Sequence, residues 1–122
     1  HRGRTEVAYS GLDLSSVYLD VVRRKHPDVT CYEFDILGPG KPPPVHDYVV
    51  ANGVFTMKCD LSFEDMWSYF ERMLVRLFSL ARVGIAFNVM SKHVDWERDD
   101  LFHVPHDMLA GFLVGTLTRN FL

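Results

Sequence analysis

Residues 7–15 constrain the fold of this chain more than any other stretch, because an acid stands where a short apolar strand would end. Residues 7–12 are mostly apolar, which is typical of a buried parallel strand, and Asp13 follows them directly. Ser15 then opens a segment with a helical pattern, and serine is a preferred helix N-cap. In open α/β sheets, ligands bind beyond the carboxyl ends of the strands, where an acid accepts hydrogen bonds from ribose hydroxyls. The stretch therefore predicts that Asp13 binds the ribose of a nucleoside ligand.

An acid of this kind normally follows a glycine-rich turn by about 20 residues. Counting back from Asp13 by that distance puts the turn before His1. We therefore expect a nucleoside-binding fold whose first strand and glycine loop are missing from this chain.

Length, charge and cysteine content exclude several classes of protein. A chain of 122 residues is long enough for one domain with a core, so we predict a single, partial domain over residues 1–122. A net charge of −3 argues against sequence-independent nucleic-acid binding, which needs a basic face. The two cysteines form no CxxC pair, so neither a disulfide framework nor a zinc site is expected.

No apolar run reaches the roughly 18 residues of a membrane span, and residues 1–6 lack the apolar segment of a signal peptide. We expect a cytoplasmic protein that does not contact a membrane.

Three helices are predicted from N-cap residues and apolar spacing. The first begins at Ser15 or Ser16 and ends before Pro27. The second begins at Ser62 and has Gly84 as its C-terminal stop, and the third begins at Pro105. Apolar residues at helical spacing form one stripe of the second helix: Met66, Phe70, Met73, Leu74, Leu77 and Ala81.

Strands alternate with these helices, which indicates an α/β fold. A stretch rich in proline and glycine at residues 38–44 is predicted to be an exposed connector inside one domain. The third strand is predicted to stop at Asn52-Gly53. The four predicted strands cover residues 7–12, 29–36, 48–51 and 85–90.

Several segments, taken together, resemble the class I S-adenosylmethionine-dependent methyltransferases. They are residues 9–15, residues 34–37, residues 46–55, the long helix followed by residues 84–88, residues 94–96 and the Pro105 helix. The last two resemble a bacterial branch of small members. The likeness extends over nearly the whole chain, and the order and spacing of the segments carry it.

The resemblance implies a Rossmann-like parallel sheet with flanking helices, in the strand order 3-2-1-4-5-7-6, and S-adenosylmethionine bound along the carboxyl edge. It assigns Asp13 to both ribose hydroxyls and Leu14 to packing on the adenine. Asp35 would meet the adenine amino group, and the backbone of Ile36 would border the ring. Asn52 and Gly53 would form the turn beside the methionine portion and the methyl group.

The chain departs from the family pattern at both ends. The glycine-rich loop and the final hairpin are missing, so the fold is expected to be truncated at both ends. The missing first strand lies between strands 2 and 4 of the family order, and its loss would split the sheet and leave two unpaired edges. We therefore expect that the chain is part of a longer protein, or that it forms a homo-oligomer through these edges.

No side chain is predicted to be catalytic, because methyl transfer is an in-line displacement that depends mainly on positioning. Residues 52–55 are not the Asn/Asp-Pro-Pro-aromatic turn of methyltransferases that act on nucleobase or glutamine amide nitrogens. A small molecule is therefore the expected methyl acceptor. Phe55 and Trp96 could present aromatic faces to a sulfonium, although core packing is the predicted role of both.

Histidines can bind metals and act as catalytic bases, but we predict neither role for the histidines of this chain. The candidate metal ligands are His93, Asp95, His103 and His106. Only His103 and His106 are closely spaced, and Pro105 between them prevents a shared helical face. His46 precedes Asp47 at the mouth of a strand and could act as a base. A surface histidine is the simpler interpretation.

Two alternative functions remain open at this point. A nicotinamide-dependent (NAD) oxidoreductase uses the same acid at the end of the same strand. A degenerate, non-catalytic interaction domain would take its missing strand from another chain.

Overall fold

The computed structural model describes residues 6–122, and the chain divides into two compact units between Pro43 and Pro44. We call them unit 1, up to Pro43, and unit 2, from Pro44 onward. The boundary falls in the proline-rich connector. Each unit contains its own parallel sheet: β1 and β2 in unit 1, and β3, β4 and β5 in unit 2. The α/β class with parallel strands and flanking helices is therefore confirmed, whereas one continuous sheet in the family order stays a prediction.

Unit 1 is a β-α-β arrangement. Strand β1 (Ser10–Asp13) leads through helix α1 (Ser16–Lys25) to strand β2 (Thr30–Glu33). The strands are parallel, with Ser10 opposite Thr30 and Asp13 opposite Glu33. Leu19 of α1 and Ile36 after β2 are the buried apolar residues of this unit. Helix α1 begins where serine can cap it, because the Ser15 hydroxyl accepts a hydrogen bond from the Tyr18 N–H at 3.4 Å.

Unit 2 has a three-stranded parallel sheet covered by a long helix. Its elements are β3 (His46–Phe55), α2 (Phe63–Ser79), β4 (Ala81–Ser91), β5 (His103–Val104) and α3 (His106–Phe112), and a π-helical turn (Leu113–Leu117) extends α3. Strands β3 and β4 pair with Val49 opposite Ile85, and β4 and β5 pair with Met90 opposite His103. Strand β5 was not predicted.

An aromatic core holds unit 2 together. Phe55, Phe70 and Phe102 are fully buried. The rings of Phe55 and Phe70 meet edge to face with their centroids 4.9 Å apart. Burying one such ring stabilises the fold by ~1.5–3 kcal/mol. The predicted stripe of α2 supplies much of this core, since its members from Met66 to Leu77 are buried.

Three predicted strand bounds differ in the structure, where β1 begins at Ser10, β2 ends at Glu33 and β4 begins at Ala81. The two ends predicted from glycine are also wrong. Asn52-Gly53 does not stop the third strand, because β3 continues through it to Phe55 in an irregular pairing with β4. Gly84 does not end α2, because the helix ends at Ser79 and Leu80 caps it with an N–H donated to the Leu77 carbonyl. Gly84 lies in β4 opposite Tyr48, and Ala81 is the first residue of that strand.

None of the helices in residues 6–122 is both long and apolar enough to cross a membrane.

Candidate functional site

Asp13 lies at the carboxyl end of β1, as predicted, and its side chain is half-buried. Its Oδ1 accepts a hydrogen bond from the Ser15 N–H at 2.8 Å, which forms a turn leading directly into α1. A carboxylate has two oxygens and about four acceptor positions. This turn uses one position, so the carboxylate retains capacity for hydroxyl donors.

Glu33 is the residue of β2 opposite Asp13, and Asp35 lies two residues beyond it, after the strand has ended. Its Oδ1 accepts from the Leu37 N–H at 2.9 Å, in the same kind of turn. The Phe34 N–H donates to the Asp13 carbonyl at 3.2 Å, so the backbones that carry the two acids adjoin. The structure therefore brings Asp13 and Asp35 to the same edge of one sheet.

Gly38 closes the Asp35 turn at very short range. Its N–H donates to the Asp35 carbonyl at 2.9 Å. A Cβ at position 38 would lie 2.9 Å from the Asp35 Cβ and 3.1 Å from its Cγ. Only glycine fits this turn without displacing the acid.

The apolar neighbours of the two acids differ in exposure. The Leu14 side chain is 66% exposed beside Asp13, so it is free to pack on a planar ligand. Ile36 is buried in the core of unit 1, so its side chain is not accessible to a ligand.

Asn52 and Gly53 lie in unit 2, in a bulge near the carboxyl end of β3 rather than in a turn after it. Ala51 is opposite Phe87 and Phe55 is opposite Val89, so three residues of β3 are matched by Asn88 alone. Gly53 takes a φ of +76°, which favours glycine, and its N–H donates to Asn88 Oδ1 at 2.7 Å. Sequence reasoning missed Asn88, whose only signal is a polar residue near the end of an apolar strand.

Unit 2 also contains a cleft of about 300 Å³ near the carboxyl ends of β3 and β4, which could not be predicted from the sequence. Its lining includes Lys58, Phe63, Lys92, Asp99 and His103. Beside it, Arg98 forms two hydrogen bonds to Asp100. These bonds hold the pKa of the Asp100 carboxyl below its usual value of 3.8.

The histidines have structural or surface roles. His103 is buried, and both ring nitrogens meet backbone groups: Nδ1 the Ser91 carbonyl at 2.7 Å and Nε2 the Arg98 N–H at 3.3 Å. A carbonyl only accepts, so Nδ1 donates to Ser91, and Nε2 accepts from the Arg98 N–H. His93 and His106 are exposed, and no group of three metal-ligating side chains occurs between residues 6 and 122. His46 stands at the amino end of β3, away from the edge where parallel sheets bind ligands.

The two candidate aromatic residues also differ. Phe55 is in the core, as predicted. The core prediction is wrong for Trp96, which is 71% exposed in the segment between β4 and β5.

Comparison with known proteins adds no relative: no family model, no curated protein and no solved structure matches this chain.

Proposed function

We propose that this chain is an S-adenosylmethionine-dependent methyltransferase domain. One observation carries the proposal: two carboxylates, Asp13 and Asp35, follow neighbouring parallel strands at one sheet edge, and a serine-capped helix begins directly after the first. That edge is where open α/β sheets bind nucleosides.

The residues of unit 1 fit an adenosyl group. The Asp13 carboxylate is anchored by the Ser15 N–H through one oxygen and offers its remaining lone pairs to the ribose hydroxyls. Leu14 provides an exposed apolar surface for the adenine, and Asp35 provides an acceptor for its amino group. Hydrogen bonds to a charged group contribute about 1.5–3 kcal/mol each. Asp13 would accept from two ribose hydroxyls and Asp35 from one amino group, so Asp13 would contribute more to the binding free energy.

S-adenosylmethionine supplies a methyl group on a positively charged sulfur. The chain has to hold the acceptor in line with that group and exclude water, and such positioning accounts for much of the rate in two-substrate reactions. The bulge at Asn52 and Gly53 is held by Asn88, so its backbone is fixed before a ligand arrives. We assign no catalytic side chain, and we propose a small molecule as the acceptor.

Calorimetric titration of the full-length protein with S-adenosylmethionine tests the proposal. We expect saturable binding, and we expect reduced nicotinamide dinucleotide to give none. Binding of the dinucleotide alone would favour an oxidoreductase, and the absence of heat with either ligand would contradict the proposal.

A non-catalytic interaction domain is the second candidate, and strand β3 favours it. This ten-residue strand pairs with β4 on one side only among the described residues, and Tyr48 and Val50 are 67% and 71% exposed. Long apolar edge strands tend to pair with other chains. Light scattering of the wild type and of Val50→Lys tests this: an oligomer that the lysine dissociates supports pairing through β3, and a monomeric wild type contradicts it.

A further inference from the structure

The unit 2 cleft combines charges of both signs with an apolar wall. It lies near the carboxyl end of β4, at the amino end of β5 and beside residues 57–61, which follow β3. Its volume of about 300 Å³ is at the lower end of the range for small-molecule sites. A ligand of this cleft is therefore small.

The positive charge available to a ligand is that of Lys58. Its Nζ donates one hydrogen bond, to the Leu61 carbonyl at 3.0 Å, and an ammonium has three donors. Arg98, another cation of the lining, is already paired with Asp100. Lys92 lies 3.8 Å from Glu97, and both side chains are nearly half exposed, so this ion pair is weak and open to exchange.

The negative charge available is that of Asp99. It lines the same cleft, and its carboxylate forms no ion pair with any cation in the described part of the chain. The Lys58 ammonium also acts on the Asp100 carboxylate, whose pKa it helps to lower, but neither Lys58 nor Asp99 forms an ion pair within the described part of the chain. Lys58 and Asp99 therefore offer one charge of each sign to a ligand.

The apolar wall is formed by Phe63 and Leu101. The Phe63 ring stacks on Trp67 with an interplanar angle of 10° and packs against buried Phe102, which fixes its orientation. Lys92 Nζ lies 5.9 Å from the centroid of the same ring. A ligand with an apolar group would pack on a surface that does not have to reorganise.

The backbone beside the cleft is also held in place. The N–H groups of Lys58 and Cys59 both donate to the Asp100 carbonyl, at 2.9 and 3.2 Å. Cys59 adopts a φ of 52°, a conformation that residues other than glycine rarely take. Lys58 is thus presented by a turn that is tied to the opposite wall.

We propose that this cleft binds a small zwitterion with an apolar side chain, a molecule of the amino-acid type. Its carboxylate would contact Lys58 and Lys92, its ammonium Asp99, and its side chain Phe63. This inference goes beyond the proposed function and rests on the residues of unit 2 alone.

Calorimetry of the full-length protein tests the inference with L-phenylalanine and two analogues, 3-phenylpropionate and phenethylamine, which keep only the carboxylate or only the amine. We expect L-phenylalanine to bind about tenfold or more tightly than either analogue, since each loses one charge-assisted contact. Equal affinity for the three compounds, or no binding of L-phenylalanine, would overturn the proposal.

Two variants with matched controls identify the site. Lys58→Met and Asp99→Asn should each weaken L-phenylalanine binding by about tenfold, the effect of one lost charged contact. Lys41→Met and Asp28→Asn change exposed residues of unit 1 and should leave it unchanged. Wild-type affinity in both cleft variants would overturn the assignment.

S-adenosylmethionine is titrated into the same samples. Binding of S-adenosylmethionine without L-phenylalanine overturns the cleft proposal alone. Binding of L-phenylalanine without S-adenosylmethionine supports the cleft and overturns only the methyltransferase proposal.

Discussion

Asn88 and Gly53 lie 35 residues apart in the sequence, and a 2.7 Å hydrogen bond from the Gly53 N–H to Asn88 Oδ1 joins them. This contact fixes the bulge that interrupts the pairing of β3 with β4. The bulge contains Asn52 and Gly53, the two unit 2 residues assigned to the cofactor by resemblance.

Replacing Asn88 with leucine removes the acceptor of this bond. Both residues are exposed, so water partly replaces it, and we expect a loss of about 0.5–1.5 kcal/mol in the free energy of unfolding. Asn88→Asp keeps an oxygen at that place and should retain most of the stability. Urea denaturation measures both variants, and a leucine variant as stable as the wild type would show that the bond contributes nothing.

The positive φ of Gly53 predicts a difference between two glycines of the same sheet. Nothing lies within 4 Å of a Cβ built at Gly53 or at Gly84, so neither substitution by alanine causes a side-chain clash. Because the φ of Gly53 is +76°, Gly53→Ala should lower the free energy of unfolding by about 1–2 kcal/mol. Gly84 has no positive φ, and its alanine variant should be neutral or more stable. Equal unfolding midpoints for the two variants would contradict the backbone assignment.

The tight fit of Gly38 against Asp35 predicts that an alanine at position 38 weakens the Asp35 turn. An alanine Cβ would lie 2.9 Å from the Asp35 Cβ, so either the acid or the turn must move, at a cost of about 1–3 kcal/mol. Gly11→Ala is the control, because its Cβ would make only an ordinary contact of 3.8 Å with Cys31 Sγ. Hydrogen exchange of the Leu37 amide, which donates to Asp35, should speed up in the Gly38 variant only. Unchanged protection there would refute the close contact.

The interaction between Arg98 and Asp100 should make the free energy of unfolding depend on pH. Hydrogen bonds from Arg98 lower the pKa of Asp100 in the folded state below 3.8, so the pair stabilises the fold above that pH. The contribution is lost as the pH falls below 3.8 through the folded-state pKa. Arg98→Met should therefore be less stable than the wild type at neutral pH, with a difference that shrinks in acid.

The control for this prediction is the same change in an Asp100→Asn background, where no carboxyl titrates at position 100. Urea midpoints between pH 2 and 7 should show no pH dependence of the Arg98 effect in that background. The same acid dependence in both backgrounds would assign it to another group.

Helix starts and the main core stripe could be predicted from the sequence, because their causes are local. The hydroxyls of Ser15 and Ser62 each accept an N–H three residues ahead, and α2 buries its apolar stripe at helical spacing. The position of Asp13 was predictable for the same reason, since an acid after a short apolar run marks the end of that strand. The second strand was predicted to run past Asp35, but it ends at Glu33, two residues before that acid.

What could not be predicted depends on distant partners. The pair Asn52-Gly53 indicates a turn by its local preference. The strand nevertheless continues to Phe55, because the Gly53 N–H donates to Asn88 Oδ1 and Phe55 pairs opposite Val89 of β4. Gly84 indicates a helix end, but pairing opposite Tyr48 places it in a strand. The residues that line the cleft come from several separate segments between Lys58 and His103, and these segments share no motif.

The affinity of the full-length protein for S-adenosylmethionine, compared between the wild type and Asp13→Asn, tests the central proposal most directly. The amide keeps an oxygen for the Ser15 N–H but loses the charge that the ribose hydroxyls would meet. We predict binding that is about tenfold to a hundredfold weaker in this variant, from the loss of ~1.5–3 kcal/mol, and unchanged in Asp28→Asn. Equal affinity of Asp13→Asn and the wild type would contradict the assignment of Asp13 to the adenosyl donor.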